Sequence, residues 1–128
     1  MRIVLEAEDA LRIEPGEAML TIVAPSEEHS YSAFHMLASG LAMCTYSVLD
    51  SWASNAGISA DRLSIHVSWE FTEKPHRVRT LNLTFDWPDL PPDRESAARR
   101  AAGLCAVHAT LTHSPEITIN SNVGQAAR

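Results

Sequence analysis

The sequence predicts a domain of the α+β class, with antiparallel hairpins beside two helices, and three stretches carry that prediction. Residues 31–56 hold apolar side chains at helical spacing, while residues 63–71 and 80–87 alternate apolar and polar at the two-residue period of a strand. Two alternating runs joined by a short link make an antiparallel hairpin with one apolar face, and that face needs a helix to cover it.

Each element has its own local reason. From residue 2 to 8, Ile3, Leu5 and Ala7 fall on one side of a strand and Arg2, Val4, Glu6 and Glu8 on the other. Pro15 and Gly16 mark a turn, and residues 18–24 (AMLTIVA), rich in β-branched types, read as the returning strand of an N-terminal hairpin. A polar loop follows at 25–30. Ser30 or Ser32 then caps a long helix that Gly57 ends. In it Leu37, Leu41, Cys44 and Val48 share one face, which places the Cys44 thiol in a buried or half-buried position. Asp50, His35, Asn55 and four serines interrupt this helix, so it does not read as a membrane span.

Beyond Gly57, Leu63, Ile65, Val67, Trp69 and Phe71 alternate with Ser64, His66, Ser68 and Glu70. Lys74, Pro75 and His76 connect this run to a second, in which Leu81, Leu83, Phe85 and Trp87 alternate with Thr80, Asn82, Thr84 and Asp86. The prolines of residues 88–92 break the strand, and Asp93, Arg94 and Glu95 open a second helix, expected to run to about Thr112. On it Ala98, Ala101, Ala102, Cys105, His108 and Ala109 share a face of small side chains that suits close approach to the Cys44 helix. Pro115 stops the helix, residues 116–120 (EITIN) read as a last short strand, and residues 124–128 form a tail.

The totals narrow the function. A chain of 128 residues, 45% hydrophobic, has the size of one domain spanning 1–128 with a real core. A net charge of -6 argues against a nucleic-acid partner, and Arg94, Arg99 and Arg100 read as decoration of a helix. The first ten residues lack the apolar core of a secretory signal, so a cytoplasmic location is expected, with no membrane association. There the two cysteines, which have no CxxC context, rest as thiols. No cofactor and no metal is expected. A zinc site from Cys44, Cys105, His35 and His108 would need ligand pairs two to four residues apart at each end, and His35 and Cys44 are nine apart. His29, His66, His76 and His113 fall in loops or on a polar strand face.

Two readings of the cysteines stay open at this level. Both are small hydrophobes suited to burial. Alternatively they form a peroxide-reducing pair, in which one thiolate attacks an O–O bond, becomes a sulfenic acid, and condenses with the other to a disulfide.

Two stretches resemble a known family. Residues 37–44 (LASGLAMC) are similar to the helix L-x-x-A-x-A-x-C, and residues 105–111 (CAVHATL), followed by Glu116-Ile117-Thr118-Ile119, to the C-P-V-H-x-T-L segment and terminal strand, of the OsmC/Ohr proteins, named for osmotically inducible protein C and organic hydroperoxide resistance. The resemblance implies an α+β fold in which two chains intertwine as a homodimer around the long cysteine helices, with the active site at the interface. It implies that Cys44 is the peroxidatic and Cys105 the resolving cysteine of an oxidative-stress peroxidase, with a hydroperoxide substrate and a cellular dithiol as reductant. A long apolar helix that one small chain cannot cover on all sides also points to a dimer.

Departures from the family pattern shape the expectations. Where the family reads P-E-[EQ]-L, this chain has Ala33-Phe34-His35-Met36, so Phe34 stands at the position of the glutamate that orients an activating arginine. Arg12 is the candidate arginine, and Ala106 replaces the proline after the second cysteine. An apolar ring near the thiol would raise its pKa, so thiolate should be scarce and the peroxidase slow. The alternative is a non-catalytic protein of the same fold that binds an apolar small molecule in an interface pocket lined by Phe34, Met36 and Met43.

Overall fold

A computed structural model describes residues 2–7, 10–14, 20–23 and 32–124, the first three stretches as backbone. Two compact units result: Met1–Met43 with Ser64–Asp86, and Cys44–Leu63 with Trp87–Arg128.

In the first unit, strands β1 (Arg2–Ala7), β2 (Ala10–Glu14) and β3 (Leu20–Val23) form an antiparallel sheet in the order β1-β2-β3. The expected two-stranded hairpin is thus a three-stranded meander. Arg12 sits on the central strand opposite both Val4 and Thr21, and the returning segment pairs with β2 rather than with β1. The inserted strand carries only five residues (ALRIE), too short a run for its alternation to stand out.

The same unit holds β4 (Ser64–Thr72) and β5 (Arg77–Asp86), paired antiparallel from Ser64↔Asp86 to Thr72↔Arg77. The alternation read from the sequence is the alternation observed. Ile65, Val67 and Trp69 are half-buried and lie opposite half-buried Phe85, Leu83 and Leu81, while Ser64, His66, Ser68 and Glu70 are exposed. A bulge after Glu70 moves Phe71 opposite Val78 and leaves it 40% exposed. There His76 stacks on the Phe71 ring at 4.6 Å, and its Nδ1 lies 2.9 Å from Glu73 Oε1.

Helix α1 (Ala33–Ala56) starts in the first unit and continues through the second. Ser32 caps it: its Oγ accepts from the backbone N–H groups of Phe34 and His35, at 3.2 and 3.3 Å. His35 returns the bond, its Nδ1 accepting the Ser32 N–H at 3.1 Å, so a histidine fills the place of glutamate in a capping box. The first turn also covers the hairpin. Phe34 meets Phe71 edge-on at 4.9 Å, and His35 meets Trp69 edge-on at 5.1 Å.

The far end of α1 closes as expected at Gly57, whose φ of +70° lets Gly57 N–H reach Ser54 O and Ile58 N–H reach Ala53 O. Gly57→Ala should destabilise the protein by about 1 kcal/mol, because a Cβ disfavours this left-handed conformation. Urea unfolding of the reduced protein checks this, and an unchanged midpoint would contradict it.

The buried stripe of α1 is Ala38, Leu41, Thr45, Leu49 and Ala53. It lies beside the predicted stripe rather than on it. Leu41 is shared, Leu37 is 37% exposed, and Cys44 and Val48 fall at the half-buried margin. Small apolar residues at 38 and 53 mark the inward face less visibly than the large side chains next to them.

In the second unit the core is Thr45, Leu49, Ala53, Ala60, Leu63, Trp87, Ala98, Ala101 and Cys105. Trp87 closes it, donating its indole N–H to Ser59 O at 2.8 Å and meeting Trp52 edge-on at 6.0 Å. The Arg94 guanidinium lies 5.4 Å from the Trp52 ring centre, and Arg62 holds Asp89 through two bonds of 3.1 and 2.6 Å.

The C-terminal part departs most from expectation. The single helix to Thr112 is instead a 3-10 turn (Pro92–Arg94), α2 (Glu95–Ala102) and α3 (Ala106–Thr112). The α2 helix ends on bonds from Gly103, Leu104 and Cys105 to the carbonyls of Arg99, Ala101 and Ala102, after which Cys105 turns extended at φ -62°, ψ 131°. Arg99 and Arg100 do decorate α2, beside Glu95 and Ser96. The break divides the predicted small-residue face: Ala98, Ala101 and Cys105 are buried, whereas His108 and Ala109 are exposed. The last expected strand is not formed either. Residues 116–120 have no ladder partner among the described residues, and Ile117 and Ile119 are 82% and 93% exposed.

Candidate active site: a thiol pair

The second unit brings together the two cysteines that the sequence separates. Cys44 is half-buried at the edge of the inward face of α1, and Cys105 is fully buried at the N-cap of α3. Both are free thiols. The Cys105 side chain and the backbone N–H groups of Val107 and Ala106 lie near the Cys44 thiol. Cys105 Sγ in turn accepts the His108 N–H at 3.4 Å.

This arrangement lowers the pKa of Cys44 below that of an ordinary thiol. The Cys105 side chain is the largest cause and the Val107 N–H the next, burial opposes them, and the Ala106 N–H adds to the lowering. This direction is opposite to the raised pKa expected from an apolar ring near the thiol. That expectation weighed only an arginine held by an acidic residue, and not a neighbouring thiol or the N–H groups of a helical first turn. Phe34 is engaged with Phe71 in the first unit, and the side chain of Arg12 lies outside the described residues.

Other singled-out residues fall elsewhere. His108 contributes its backbone N–H, not its exposed ring. His35 caps α1 in the first unit. Met36 is half-buried, and Met43 is 72% exposed. Among the described residues no group of three or more His, Cys, Asp and Glu is placed to hold a metal ion, and no helix is long and apolar enough to cross a membrane. The sequence reading missed that Ala106 and Val107 come near Cys44. The signal was the family proline after the second cysteine, since proline favours the first position of a helix, here occupied by Ala106.

Helices beside small antiparallel sheets, with two free thiols near each other in one unit, define an α+β thiol protein. Residues 26–120 match the OsmC family of OsmC-like proteins, and the chain belongs to that family. No curated protein matches it as a relative. Among solved structures it is similar to an OsmC-like protein from Mycoplasma pneumoniae, with 19% identity, a TM-score of 0.68 and coverage of 88% of this chain and 86% of that one. It is also similar to a candidate osmotic stress induced and detoxification response protein from Psychrobacter arcticus 273-4, with 17% identity, a TM-score of 0.66 and 85% of both chains covered. At these identities the likeness is one of fold.

Proposed function

We propose that this protein is a homodimeric thiol peroxidase that reduces organic hydroperoxides through Cys44 and Cys105. The observation that carries the reading is a half-buried Cys44 thiol, its pKa lowered, near a second, fully buried thiol. Cys44 thiolate attacks the terminal oxygen of the hydroperoxide, the O–O bond breaks, and the departing alkoxide takes a proton to leave as the alcohol. Cys44 is then a sulfenic acid. The Cys105 sulfur, giving up its proton, attacks the Cys44 sulfur and expels water, which forms the disulfide. A cellular dithiol restores both thiols by two exchange steps and is itself oxidised to a disulfide.

Treatment of the reduced protein with one equivalent of cumene hydroperoxide should link Cys44 to Cys105 within one chain, as read by peptide mapping without reductant. Recovery of two free thiols, with the peroxide unconsumed, would sink the proposal.

Dimerisation is supported by the apolar side chains left open by one chain: Met43, Leu104, Ile117 and Ile119 are each more than 70% exposed. Light scattering at micromolar concentration should give twice the chain mass. A monomeric mass would remove the dimer from the proposal and leave the thiol pair standing.

A further inference from the structure

We propose that His35 is a pH-sensitive latch between the start of α1 and strand β4, closed while its imidazole is neutral and opened when the ring takes a second proton. The inference does not rest on the chemistry of Cys44.

The direction of one hydrogen bond carries it. A backbone N–H can only donate, so the Ser32 N–H, 3.1 Å from His35 Nδ1, requires a lone pair on that nitrogen and places the ring proton on Nε2. The Ser32 hydroxyl lies 2.9 Å from the same nitrogen. With the ring neutral, that O–H donates to Nδ1, while its oxygen accepts from the backbone N–H groups of Phe34 and His35. Each of these donors then has an acceptor.

A second proton on the ring goes to Nδ1 and reverses the arrangement. The Ser32 N–H then faces a donor and loses its partner. Ser32 Oγ meets three donors, the new Nδ1–H and the two backbone N–H groups, with only two lone pairs to offer them. The added charge also sits in the first turn of α1, where the helix macrodipole opposes a cation. All of these effects open the latch on acidification.

The same ring ties the helix to the hairpin. It meets Trp69 of β4 edge-on at 5.1 Å, beside the contact of Phe34 with Phe71 at 4.9 Å, and it is exposed, so protons reach it from solvent. From residue 33 to residue 49, α1 carries no acidic or basic side chain besides His35. On β4, His66 and Glu70 alternate with Trp69 and so point to the opposite face, where Glu70 holds Arg79 at 3.2 Å. At the turn, Glu73 holds His76 at 2.9 Å, with Lys74 and Arg77 beside them. His76 is therefore the other titrating ring close to this contact, through its stacking on Phe71.

The test follows the full chain by nuclear magnetic resonance across pH, with two variants that keep His76. His35→Gln supplies an acceptor that does not titrate, and His35→Ala supplies none. In the wild type at neutral pH, the ring nitrogen shifts of His35 should report the Nε2–H tautomer. Protection of the amides of residues 34 and 35 against hydrogen exchange, corrected for the intrinsic rate at each pH, should fall roughly fivefold on acidification through the imidazole range, the equilibrium counterpart of one lost cap. His35→Gln should hold the higher protection throughout, and His35→Ala the lower.

An Nδ1–H tautomer at neutral pH would overturn the proposal, because Nδ1 could not then accept from Ser32. So would a fall of equal size in His35→Gln, which would assign the pH response to His76 and Glu73, or wild-type protection in His35→Ala at neutral pH.

Discussion

Cys44→Ser should reduce the consumption of cumene hydroperoxide by the pre-reduced protein to the rate of a protein-free control. A serine hydroxyl is not ionised near neutral pH, and its oxygen is a poor nucleophile toward an O–O bond, whereas the lowered pKa of Cys44 makes its thiolate accessible at lower pH than in a free cysteine. Peroxide consumption should rise as pH climbs through that lowered pKa and level off above it. Cys105→Ser should behave differently. It retains the nucleophile, consumes about one equivalent of peroxide, and stops at a Cys44 sulfenic acid that a dimedone-type reagent can trap. Undiminished turnover by Cys44→Ser would move the chemistry away from this pair altogether.

Leu49→Ala should produce the largest loss of stability. Leu49 is 0% exposed and lies in the core of the second unit with Thr45 and Ala53 of the same helix. Truncation removes buried methyl groups and leaves a cavity that the surroundings only partly fill, which costs about 2–5 kcal/mol. Urea unfolding should show the midpoint falling by that amount, with the slope unchanged if the transition is two-state. Arg99→Ala serves as the comparison. Arg99 lies 3.5 Å from Glu95 with its side chain 73% exposed, and a pair so open to water contributes at most a few tenths of a kcal/mol. Equal losses in the two variants would refute the placement of Leu49 in the core.

Much of the architecture was legible because it depends on near neighbours in the chain. Ser32 and Gly57 bound α1 through bonds that span two to five residues, and the capping and stop signals are local in the same way. The β4–β5 hairpin follows from its alternation, since each apolar residue on one strand meets one on the other. Even so, the runs shift at their ends: Leu63 and Trp87 read as strand residues but are buried in the core of the second unit. Alternation reports that a side chain is apolar, not which unit receives it.

The sequence by itself determined the class of the domain, the long helix with Cys44 at its middle, the amphipathic hairpin and the presence of two cysteines that suit peroxide chemistry. Only the tertiary structure decided the three-stranded meander, the break between α2 and α3, and the lowered pKa of Cys44. The physical reason is range. The alanine-rich run of residues 97–109 favours helix except at Gly103, where α2 ends, and a lone glycine inside a helical pattern does not announce that Cys105 will cap a second helix. Cys44 and Cys105 are 61 positions apart, and only the folding of the second unit places them near each other.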